Sequence, residues 1–182
     1  MSKIMILGSG TSIDSKNNLL ANFAHNFLTN QKVESYLYTN LYSEIPFLLE
    51  KESQAPLKII EIRNVLKICD KVVIFSPVFN GGYLAHLKNT LDWLSLSFED
   101  FEYNQLFKNK YVSVISSVNG SGGNAQKAYE ILKLQLENYG FNVNSKFLLI
   151  NKDDYIENEL NLNLNKTLIN KIQDHLNLFL KS

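Results

Sequence analysis

Apolar positions follow two alternating rhythms along this chain. Short, β-branched runs at Ile4 to Leu7, Val33 to Tyr38, Val72 to Ser76, Tyr111 to Ser116 and Val143 to Ile150 have strand length. Between them, apolar residues recur three or four positions apart, the spacing of one helix face. Leu20, Phe23, Ala24 and Phe27 mark a helix over about Asn17 to Asn30, and Ile59, Ile62, Val65, Leu66 and Cys69 mark one over Leu57 to Cys69. Leu84, Leu87, Leu91 and Leu94 stripe a third, Ala125 to Tyr139 forms a fourth, and Leu168, Ile169, Ile172, Leu176 and Phe179 mark the last. Gly140 is placed to end the fourth helix in a left-handed conformation. Thr39 to Pro56 reads as an irregular connection with a short helical turn. Glu159 to Asn165 (ELNLNLN) reads as a loop, an edge strand or a helix onset.

Strands alternating with helices predict an α/β fold, a parallel sheet covered on both faces. Right-handed crossovers leave few topologies, and the strand order 2-1-3-4-5 fits the length. With 182 residues and no linker or internal repeat, the expectation is one domain over residues 1–182.

In such a sheet the loops after strands one, three and four meet at the carboxyl edge, where open α/β folds bind ligands. The first loop, Gly8 to Asn18, places small and hydroxyl residues (Ser9, Ser15, Asn17) at the start of a helix, which suits an anion. Alone, GSG before Ser, Asp and Asn is equally a turn with a helix cap. The second, Pro77 to Tyr83, carries Pro77, Val78, Phe79, Asn80 and Gly81: a ring face, a two-sided amide and an accessible backbone. The third, Ser116 to Gln126, offers Ser117, Asn119, Gly120, Gly122 and Gly123, a flexible edge without bulky walls. Together these suit a flat heterocycle with an anionic tail.

Composition narrows the partners. Lys+Arg and Asp+Glu balance at 18 each, so no global field draws the chain to nucleic acid or to an anionic membrane. Near-neutral charge sets little repulsion against self-association. The single Cys69 excludes an internal disulfide and a cysteine zinc cluster, and its helical register marks it as a buried hydrophobe. No metal ligand set is expected: His25 and His175 are read as helix-surface residues and His86 follows the second loop, none at metal spacing. No nucleophile elbow, P-loop or GxGxxG occurs, and no catalytic side chain is assigned. Lys88 and Asp92 stand four apart in the less favourable order. Without an apolar run of membrane length or a signal core, the chain is expected to be soluble and cytoplasmic.

The second loop and its helix resemble the NAD(P)H-dependent FMN reductases. Pro77, Asn80, Gly81, Leu87, Lys88, Asn89, Leu91, Asp92, Trp93, Leu94 and Ser95 match that family's flavin loop and following helix. In the first loop Gly8 and Ser9 match, and Ser15 and Asn17 match after a one-residue insertion; in the third, Gly122 and Gly123 match. Thr11 stands where the family carries arginine, Val78 where it carries glutamate and Phe79 where it carries tyrosine. The resemblance implies a flavodoxin-like three-layer sandwich binding FMN, with NADPH or NADH as co-substrate. Hydride would pass to the flavin and on to a quinone, azo compound or similar small acceptor by a ping-pong route. It also implies a homodimer or homotetramer, with the helix bearing Trp93 in the contact. A flavodoxin-fold electron carrier or a non-catalytic binding module is the alternative.

Overall fold

The central strands bury both faces, which explains why their sequences lack polar alternation. In the computed structural model, which describes residues 2–49, 54–155 and 165–182, β1 (Ile4–Gly8), β3 (Lys71–Phe75) and β4 (Tyr111–Ser117) form the centre of a parallel sheet. β2 (Ser35–Tyr38) pairs with β1, completing the expected order. Register aligns Gly8 with Phe75 and Phe75 with Ile115, so β1 and β3 end at one level and β4 runs on to Ser117. Met5, Leu7, Val72, Ile74, Val112 and Val114 face α3 (Leu57–Ile68), α4 (Ala85–Ser95) and α5 (Ala125–Tyr139). Ile4, Ile6, Val73, Phe75 and Ile115 face α1 (Lys16–Asn30) and α6 (Lys166–Lys181). The fold is the flavodoxin-like three-layer sandwich.

Four details differ from the sequence expectation. The fifth strand is two short pieces, β5 (Asn142–Val143) and β6 (Leu148–Ile150), both paired to β4. Asn144 breaks it: its Oδ1 accepts from Lys146 N at 3.2 Å and its Nδ2 donates to Ser113 Oγ at 3.3 Å, turning the chain out of the ladder. β2 starts two residues late, because Val33 N donates to Leu28 O in the turn that closes α1. His175 is buried rather than on the surface, its Nε2 lying 2.8 Å from Ser113 Oγ. Lys88 and Asp92 do pair, at 2.6 Å, with Asp92 also accepting from Tyr139 OH.

Other expectations hold. Cys69 is buried, and Gly140 has φ +106°. The connection after β2 contains the short helix α2 (Leu41–Glu44). Most of the Asn/Leu segment, residues 159–164, lies outside the described residues.

Lys71, at the start of β3, donates to the carbonyls of Phe179 (2.6 Å), Leu180 (3.1 Å) and Ser182 (3.0 Å). A cation on the last carbonyls complements the helix dipole and fastens α6 to the sheet. Among the described residues no helix is long and apolar enough to cross a membrane.

Candidate functional site

The first loop is built around Asn18. Its Oδ1 accepts from Gly10 N at 2.9 Å and its Nδ2 donates to Ser12 O at 2.7 Å, drawing the loop over the start of α1. Ser15 caps that helix by accepting from Asn18 N. The packing is tight: a Cβ on Gly10 would lie 1.6 Å from Ser15 Oγ. Ser9 points inward instead, fully buried, its Oγ donating to Phe75 O at 3.0 Å.

Asn80 (φ +51°) and Gly81 (φ +77°) are both left-handed and lie between Phe79 and Gly82, which exchange backbone hydrogen bonds at 3.0 and 2.9 Å. Two consecutive positive φ values define a type I′ turn, for which Asn-Gly is the preferred pair. This small hairpin leaves Phe79 52% exposed. A half-exposed ring on a fixed turn is a wall for another flat group.

The third loop is tied to the first. Asn17 Nδ2 donates to Ser117 O and Asn17 Oδ1 accepts from Ser117 N, both at 3.0 Å and both buried. Ser117 Oγ meets Tyr155 OH. His86 joins the second loop's helix to the first loop, its Nε2 donating to Ser9 O at 3.0 Å. Burial holds the His86 imidazole below its usual range, so the neutral Nε2–H tautomer makes this bond.

The three loops enclose an open cleft of about 580 Å³ at the carboxyl edge of the sheet. Ser15, Asn17, Pro77, Val78, Phe79, Asn80, Gly81, Ser117, Asn119, Gly120 and Gly122 all line it. Ser9 and Gly123 do not. Val118, Asn124 and Ala125, which no sequence signal marks, line it as well, as do Thr11, Asp14 and Lys16. Asn124 carried no readable signal, since it reaches the cleft only because α5 begins beside the second loop. Tyr155 was missed too: it follows the fifth strand, and only the packing against Ser117 brings it here.

The model of the NADPH-dependent FMN reductase family matches residues 2–154. The chain belongs to that family. No curated protein matches it. Among solved structures, this FMN reductase family member is similar to FerB, a flavoenzyme NAD(P)H:(acceptor) oxidoreductase from Paracoccus denitrificans, at 19% identity and a TM-score of 0.72 over 99% of this chain and 97% of that one. It is also similar to an azoreductase from Bacillus anthracis str. Sterne at 15% identity, with a TM-score of 0.64 and all of both chains covered. Oxidised flavodoxin 1 from Bacillus cereus gives 14% identity and a TM-score of 0.63, over 99% and 98% of the two chains. At these identities the likeness is one of fold.

The residues present in this FMN reductase family member fit a flavin. At Gly120 a Cβ would meet nothing within 4 Å, so the third loop leaves open space at the cleft. Gly122 has φ +84°, and a Cβ there would lie 2.7 Å from Leu149 Cδ2, so glycine alone suits that position. The N-terminus of α1 supplies backbone N–H groups and a positive dipole for a phosphate.

Proposed function

We propose that the chain is an FMN-dependent NAD(P)H oxidoreductase that reduces a small flat acceptor of the quinone or azo type. One observation carries the reading. Loops separated by about forty to a hundred residues converge on one cleft, with an exposed ring on one wall and a helix N-terminus on another, in a member of a flavin-dependent oxidoreductase family.

Bound FMN would accept a hydride from NAD(P)H and pass two electrons to the acceptor. The protein's part is to bind and orient. Phe79 offers its ring to the tricyclic system, while Asn80, Asn119 and the backbone around Gly81 and Gly120 offer hydrogen bonds to a polar edge. Ser15, Asn17 and the first turn of α1 receive the phosphate end. Val78 supplies only apolar contact. Nicotinamide and acceptor would occupy the same exposed flavin face by turns, a ping-pong order.

The test is spectroscopic. The apoprotein is titrated with FMN, then mixed anaerobically with NADH or NADPH, and the 450 nm flavin band is followed. Bleaching, with recovery on adding a quinone, supports the enzyme. Bound FMN that neither nicotinamide bleaches supports an electron carrier instead, and no FMN binding sinks the cofactor reading.

A further inference from the structure

Lys16 is the first residue of α1, and it lines the cleft. A cation at a helix N-terminus is electrostatically misplaced, since the dipole there is already positive. Yet this side chain is held rather than left to solvent. Its Nζ lies 4.0 Å from the centroid of the Tyr155 ring, close enough for a cation–π contact. Tyr155 is fixed in turn through its hydroxyl to Ser117 Oγ, and Ser117 is clasped by Asn17, the residue after the lysine.

Among the described residues, the charges around this pair leave Lys16 without a carboxylate partner. Among the described residues it forms no ion pair, and neither does Asp14, the acidic group on the same wall. Asp154, next to Tyr155, is occupied: it takes Lys171 Nζ at 2.9 Å and Asn151 N at 2.9 Å. Thr11 brings no charge. A fixed cation beside the positive end of a helix, both facing one cleft, is stabilised when an anion lies between them.

We propose that Lys16 is the cation that answers the phosphate of FMN, and that Tyr155 is the positioning residue that holds it there. The proposal rests on the cofactor reading above and assigns the charge that Thr11 does not supply.

Equilibrium binding of FMN and of riboflavin, followed by flavin fluorescence, isolates the phosphate contribution. The wild-type protein is expected to prefer FMN, and Lys16→Met to lose about tenfold in FMN affinity with riboflavin unchanged. Lys16→Arg should keep the preference, and Asp14→Asn should strengthen FMN binding alone. Tyr155→Leu should lower the FMN-to-riboflavin ratio while Tyr155→Phe, which retains the ring, preserves most of it. Raising salt should weaken FMN binding more in wild type than in Lys16→Met. Equal loss for both flavins in Lys16→Met, or no loss, overturns the proposal. So does a Lys16→Met protein whose FMN affinity is intact but whose NADPH-over-NADH preference has collapsed, since the lysine would then serve a nicotinamide phosphate. If wild type binds neither flavin, the cofactor reading itself has failed.

Discussion

The side-chain amide of Asn17 pairs with the backbone of Ser117 as a neighbouring strand would, one N–H···O bond in each direction at 3.0 Å. A hundred residues of chain separate the partners. The pair sits where β4 has run past the end of β3, so on that edge Asn17 satisfies groups that β3 no longer can. It also locks the first and third loops into one unit.

Asn17→Ala should therefore act on both stability and binding. It strands a buried N–H and C=O at Ser117, a loss of about 2 kcal/mol. For a chain of this size the melting temperature should fall by roughly 4–8 °C. FMN affinity should fall alongside, measured by fluorescence titration well below the new midpoint. An unchanged melting temperature would show that water replaces the amide at no cost.

Phe79 should behave in the opposite way. Its ring is half exposed and held by a turn that does not depend on it, so Phe79→Ala should move the melting temperature by no more than about 1 °C. Loss of a stacking surface should weaken FMN binding about tenfold, and Phe79→Tyr should restore it. Full affinity in the alanine variant would remove Phe79 from the site.

His175 gives the fold a pH dependence. Burial, with a smaller contribution from the Lys146 charge, pushes its imidazole down to about 4. In the unfolded chain it titrates near 6.5. The unfolded state thus binds the extra proton first, so this contribution is complete above about pH 6.5 and is lost as pH falls toward 4. The amount is on the order of 3 kcal/mol. His86, also held below its usual range by burial, acts in the same direction. Urea midpoints from pH 7.5 to 4 should fall less steeply in His175→Gln, which keeps a hydrogen-bonding group toward Ser113. Parallel curves for the two proteins would refute the assignment.

Asn89 and Trp93, two residues of the family-like helix, work away from the cleft. Asn89 accepts from Leu48 N at 2.8 Å and donates to Pro46 O at 2.9 Å, and Trp93 Nε1 donates to the same carbonyl at 2.8 Å. They clamp the connection after α2, leaving Phe47 and Leu49 facing outward. Asn89→Ala should cost about 1–3 kcal/mol and expose the Leu48 amide to hydrogen exchange. Its FMN affinity should stay within about twofold, because none of these residues lines the cleft. A larger change in affinity would give the helix a direct part in the site.

The hydrophobic rhythm by itself determined the layers and the strand order. Apolar runs without alternation must be buried on both faces, and parallel strands joined by helices allow few arrangements. The glycine after the fourth helix likewise determined the left-handed Gly140, because that conformation is local. The tertiary structure alone decided what depends on contact across distance. Asn144 split the last strand through a bond to Ser113, and His175 went inward to meet the same serine. Ser9 turned toward the sheet while Tyr155 arrived at Lys16. None of these pairings has a period or a spacing along the chain. Each depends on which polar group finds an unsatisfied partner once the sheet has formed, and a sequence carries no local trace of that.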